Sequence, residues 1–153
     1  MGTRCDMYVG KGKDAEWIGS IAFDGYRDGI DEAVLKATTE EEFRTAFAEF
    51  VKRRDDYTSP EMGWPWPWDT SETSDCSYWF FDGKVWDEGG EYGTPTYYRP
   101  CDVAEPDGDE AEAAMRVKYG ANIIEFPDMS ARKNVTLGER SGIMILTERG
   151  SLK

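Results

Sequence analysis

Apolar residues recur along this chain with two different periods. Phe43, Ala46, Phe47, Phe50 and Val51 fall at i, i+3, i+4, i+7 and i+8, the single stripe of an amphipathic helix. Thr39 stands where an N-cap is needed and Glu42 follows three residues on, a capping box. Glu40 and Glu41 favour the positive end of the helix dipole, and Lys52, Arg53 and Arg54 close its C-terminal turn. Residues 29–37 read as a shorter helix. Residues 4–10 (RCDMYVG) and 16–22 (EWIGSIA) alternate as strands, with the turn 10–14 between them. Gly10 and Gly12 resemble the start of a phosphate loop, but no GK[ST] follows, so they belong to the turn. Asp82-Gly83 between the aromatic runs 77–81 and 84–86 predicts a tight hairpin. Further strands are expected at 94–99, 122–126 and 143–148. A loop at 105–110, with Asp107 or Asp109 as cap, leads into a helix at 110–119.

Strands, helices and strands without regular alternation indicate an α+β fold. The 153 residues suit one domain, 1–153. The expected architecture is a mixed or mainly antiparallel sheet, two or three helices, and an irregular acidic, aromatic-rich insertion at about 55–112.

Charge changes the picture most. The formal net charge is −13. Between residues 55 and 112 there are 16 acids and two bases, Lys84 and Arg99, while the rest of the chain carries 15 acids and 16 bases. The same span holds five of the six tryptophans and six of the seven prolines. Trp64-Pro65-Trp66-Pro67-Trp68 excludes helix there, because proline pushes the residue before it toward extended geometry. Disordered acidic chains are poor in aromatics, so this segment reads as ordered, with at least one indole partly exposed beside Glu61 or Asp69.

The chemistry is narrowed by what is absent. Without histidine, Ser-His-Asp and Cys-His catalysis, HExxH zinc sites and histidine pH switches are excluded. Cys5, Cys76 and Cys101 show no metal-binding spacing. Asp107, Asp109 and Glu112 lack the twelve-residue calcium loop. No cofactor or metal is expected. No apolar run approaches the ~18 residues of a membrane span, and the N-terminal residues carry no apolar signal region. The expectation is a cytoplasmic protein.

The acids then suggest a partner-binding face that meets a basic protein surface: Asp69, Glu72, Asp75, Asp87, Glu88, Asp102, Glu105, Asp107, Asp109, Glu110 and Glu112, with Trp64 and Trp66 as anchors. The bland alternative is a solubilising surface. A second function class is a small carboxylate-dependent enzyme acting on a carbohydrate or nucleotide, with Glu61, Asp69 and Glu72 beside Trp64, Trp66 and Trp68. Direct nucleic-acid binding is disfavoured, since the basic cluster Arg132, Lys133 and Arg140 is thin against the overall charge.

The stretches at 2–26 (GTRCDMYVGKGKDAEWIGSIAFDGY), 63–68 (GWPWPW) and 126–146 (FPDMSARKNVTLGERSGIMIL) resemble a family of small phage and prophage proteins. The acidic middle is the part least covered. No catalytic residue transfers with the resemblance. It implies an accessory gene product that inhibits a host defence complex in the host cytoplasm, anti-CRISPR-like, with DNA mimicry through the acidic surface as its mode.

Overall fold

The computed structural model describes residues 2–90 and 94–131. A mixed six-stranded sheet is formed by β1 (Cys5–Val9), β2 (Glu16–Ile21), β3 (Tyr57–Thr58), β4 (Cys76–Phe81), β5 (Lys84–Gly89) and β6 (Tyr97–Pro100), in the order β3-β2-β1-β4-β5-β6. Three helices accompany it: α1 (Glu32–Leu35), α2 (Glu40–Lys52) and α3 (Asp109–Tyr119). The fold is α+β, as the sequence predicts. Every pairing is antiparallel except β1 with β4.

Alternation along the strands builds two cores, one on each side of the sheet. Cys5, Met7, Tyr78, Phe80 and Val85 face one side, where Phe43, Phe47, Phe50 and Val51 of α2 and Val34 of α1 close over them. Tyr8, Trp17, Trp79 and Tyr98 face the other side. No α-helix among the described residues covers that second face. The connection from β3 to β4 brings Trp64 onto it, and Ile124 and Met129 join from beyond α3. Trp64 of the tryptophan-proline stretch is therefore core, with Trp66 and Trp68 packed at its edge, reached by a chain that cannot be helical.

The α2 cap forms with a shift. Thr39 Oγ1 accepts from the Glu42 amide at 3.1 Å, while Glu42 Oε1 accepts from the amide of Thr38, one residue earlier, at 2.9 Å. Where β2 crosses α2, Ile18 is an extra residue between the pairs Met7↔Gly19 and Tyr8↔Trp17. Gly19 is required there, since a Cβ would sit 2.7 Å from the Phe47 ring. The Asp82-Gly83 turn has φ of 52° and 74°, the two positive values that a two-residue hairpin needs.

Several expectations need correction. The helix at 29–37 is the single turn α1, preceded by a 3-10 turn at Arg27–Gly29. β6 begins at Tyr97 rather than 94, and β5 runs on to Gly89. Gly108, not Asp107 or Asp109, is the N-cap of α3, without a side-chain bond. Residues 122–126 make one isolated bridge, Tyr97↔Ile123, instead of a strand. There the chain turns Ile124 and Phe126 into the aromatic core rather than following β6. β3 was not foreseen, because two residues between acids and Ser59-Pro60 show no period. The strand expected at 143–148 and the basic cluster Arg132, Lys133 and Arg140 lie outside the described residues.

Candidate functional site

The acids named from sequence divide by environment into a buried ion cluster, an exposed ridge and a cleft. Asp87 belongs to the first. On β5, one residue off the aromatic face, it is 5% exposed and receives two arginines. Arg99 Nε and Nη2 donate to its two oxygens at 2.9 and 3.0 Å, and Arg27 Nε donates at 2.8 Å. Arg27 also donates to the carbonyls of Pro100 (3.2 Å) and Val103 (2.7 Å). A buried carboxylate thus fixes two cations, and one of them pins the turn leaving β6. Asp87 is not part of any binding face, contrary to expectation.

That pinned turn carries the ridge. Asp102, Glu105, Asp107, Asp109 and Glu110 are all exposed. Asp102 lies 3.3 Å from Lys84 Nζ, and Glu105 lies 3.3 Å from Arg99 Nη2. Glu112, half-buried, accepts from Tyr97 Oη (3.2 Å) and Arg116 (3.3 Å). Asp107, Asp109 and Glu110 have no ion pair among the described residues. Asp109 and Glu110 open α3, where the helix dipole favours them, and Asp107 precedes its N-cap Gly108. No base interrupts residues 102–115.

The third environment lies on the aromatic face of the sheet, where a row of polar side chains crosses it. Asp6, fully buried, accepts from Ser20 Oγ at 2.6 Å and Ser74 Oγ at 2.7 Å. Burial pushes its pKa up, and the serine hydroxyls oppose that. Ser77 accepts from Trp79 Nε1 at 2.8 Å, and its hydroxyl opposes the upward shift of the Glu88 pKa. Tyr8 Oη shares a hydrogen bond with Ser71 Oγ. Glu88 is half-buried as a residue, yet its Oε2 is sealed from solvent and has no hydrogen-bond partner among the described residues. Burial first, then the negative charges of Asp6, Asp87 and Asp75, push its pKa up to about 8. Glu88 forms part of the wall of a cleft of about 1000 Å³, together with Glu72, Asp75, Glu125, Lys13, Pro95, Ile123 and Phe126.

No family model matches the chain, and no curated protein or solved structure matches it either. Function is therefore argued from these geometries.

The tryptophans divide as well. Trp64 is 2% exposed, packs edge-on against Trp17 at 5.3 Å, and donates to the Trp68 carbonyl at 2.7 Å. It is core, not the anchor that sequence suggests. Trp66 and Trp68 are half-buried and stack on each other at 6.1 Å, with the Arg4 guanidinium 3.9 Å from the Trp68 ring centre. Partly exposed indoles do adjoin Asp69, but Arg4 lies over the Trp68 ring. Asp69 is exposed, and its carbonyl accepts from the Met129 amide. Glu61 is exposed and bonds Ser59 Oγ at 2.8 Å.

The structure therefore gathers Glu72, Asp75 and Glu88 at one cleft and Asp102 to Glu110 on one ridge. Sequence reasoning missed Asp6, Ser74, Ser77, Ile123 and Glu125. Asp6 had a signal: an acid at an inward position of an otherwise apolar strand, CDMYV. Among the described residues no group of three or more His, Cys, Asp or Glu is placed to hold a metal ion. No helix among them is long and apolar enough to cross a membrane. The three thiols are free, and burial pushes the pKa of Cys76 up to about 12.

Proposed function

We propose that this protein is a non-catalytic binding protein whose ridge, Asp102 to Glu110, docks on a basic surface of a protein partner. The observation that carries this reading is the trio Asp107, Asp109 and Glu110, which has no ion pair among the described residues and follows the turn at 100–103 that the buried Arg27–Asp87–Arg99 cluster pins. Carboxylates without internal partners keep their field for an incoming cation, and a rigid turn adds little ordering cost on binding. The partner class is a nucleic-acid-binding complex, whose Lys- and Arg-rich groove matches a run of acids. The resemblance to phage proteins makes a host defence complex the proposed target and the host cytoplasm the place of action. In this reading the acids stand in for DNA phosphates.

The test begins with capture of the partner on the tagged protein and its purification. Binding is then measured with and without duplex DNA, for wild type and for the triple variant Asp107→Lys, Asp109→Lys, Glu110→Lys. Competition by DNA and loss of binding in the variant are expected. Binding that ignores the triple reversal would reduce the ridge to a solubilising surface. Turnover of an added sugar or nucleotide by the pure protein would instead favour the carboxylate enzyme.

A further inference from the structure

A polar atom that is both sealed and unpartnered is rare in folded proteins and calls for an explanation. Glu88 Oε2 is such an atom, and its side chain helps to wall the cleft on the aromatic face. Because the Glu88 side chain lines the cleft, a donor entering there can satisfy this oxygen once the carboxyl turns from its sealed position toward the cleft. The rest of the wall says which kind. Among the described residues, Glu72, Asp75 and Glu125 share it with one base, Lys13, so that part of the cleft is negative. Pro95, Ile123 and Phe126 give it apolar sides, suited to a methylene chain. Its volume of about 1000 Å³ admits a ligand of that length. A metal ion is the weaker match, since no three candidate ligands converge among the described residues.

We propose that this cleft binds an aliphatic organic cation bearing N–H donors, of the polyamine or alkylguanidinium class, with Glu88 as its inner acceptor. The site is separate from the ridge and stands without it. The chemistry has two sources, a free polyamine or the side chain of an arginine in a polypeptide. In either case the cation donates to Glu88, its alkyl chain lies along Ile123 and Phe126, and the outer acids meet its remaining charge. The titration of the carboxyl supports this. The charges and dipoles acting on Glu88 are those of Asp6 and Tyr8 from β1, Asp75 just before β4, Cys76 and Ser77 in β4, and Asp87 beside it on β5 but on the opposite face. Glu72, Glu125 and Lys13 share the cleft wall. With its pKa near 8, Glu88 is mostly protonated at pH 7. An arriving cation stabilises the carboxylate and drives that proton into solution.

The test is calorimetric titration of the purified full chain at pH 7 and about 0.15 M salt, in two buffers of different ionisation enthalpy. One arm uses spermidine and the other N-acetyl-arginine methylamide. Saturable one-site binding of either probe, with proton release, is expected; whichever binds tighter identifies the source. Glu88→Gln should weaken binding at least about tenfold and abolish the proton release. Ile123→Trp should block the cleft; Ile123 is 45% exposed, so the fold tolerates the change and serves as a second variant should Glu88→Gln unfold. The ridge pair Asp109→Lys, Glu110→Lys should bind as wild type does. The proposal is overturned if neither probe binds wild type, if Glu88→Gln and Ile123→Trp both bind normally, or if the ridge pair weakens binding as much as the cleft variants. The last result would mean diffuse counter-ion attraction.

Discussion

Glu88 couples stability to pH in the direction opposite to an ordinary surface carboxylate. Its folded pKa of about 8 lies above its ordinary value of 4.5, so the folded protein holds a proton that the unfolded chain releases. The contribution is fully present below about pH 4.5 and is lost as pH rises through about 8. Asp6, raised by burial, acts in the same sense. Denaturant unfolding of wild type should therefore show stability falling between pH 5 and pH 9. Glu88→Gln, which carries no proton to lose, should flatten part of that fall, by about 1–3 kcal/mol at pH 9. Parallel pH curves for the two proteins would mean that the carboxyl is solvated after all. Asp6 was legible as an acid inside an apolar strand, but Glu88's role was not, since nothing local distinguishes it from Asp87, its neighbour. The pleat alone separates them, sending one to the aromatic face and the other to the arginines. That choice depends on strand register, which is set by Trp79↔Trp86 and Asp87↔Arg99 across three strands.

Single elements were more legible where a short-range rule dictates them. The stripe, cap and charge pattern of α2 are local, and Phe43, Phe47, Phe50 and Val51 are its buried residues, as the period requires. Phe47→Ala should destabilise by about 3–5 kcal/mol, measured by urea unfolding. A change under 1 kcal/mol would contradict the packing of α2 on the sheet. The Asp-Gly hairpin is equally local. By contrast, the parallel pairing of β1 with β4 joins residues about 70 positions apart and has no local signature. The turn after β6 looked like a loop of solvated acids, yet it hangs on Asp87. Asp87→Asn should leave Arg27 without a counter-charge and Arg99 with only the exposed Glu105, and cost about 3–5 kcal/mol. Hydrogen exchange should show the 101–105 amides of that variant opening faster. Unchanged exchange there would mean that the carbonyl bonds of Arg27 suffice to hold the turn.

At the scale of the whole molecule, a net charge of −13 makes long-range attraction of any basic partner certain in sign, so sign alone decides nothing. The discriminating quantity is which acids matter. Reversal across the whole 102–112 run would confuse partner binding with folding, because Asp102, Glu105 and Glu112 hold Lys84, Arg99 and Arg116. Asp107, Asp109 and Glu110 make no such bonds, but two of them start α3. Reversing those two should cost roughly 0.3–1 kcal/mol each through the helix dipole, more than a neutral surface change and far less than Asp87→Asn. Against the purified partner, the triple reversal should lower the association rate about tenfold or more at low salt and leave dissociation within about threefold, since steering acts on the encounter. The difference from wild type should shrink as ionic strength rises and the screening length falls below about 8 Å. Stopped-flow mixing over a salt series reads both rates. If the reversal instead speeds dissociation at every salt concentration, the ridge acids make short desolvated contacts in the bound complex. Recognition would then reside in specific pairs rather than in a phosphate-like field, and the DNA-mimic reading of the ridge would fail while its role as the contact surface stood.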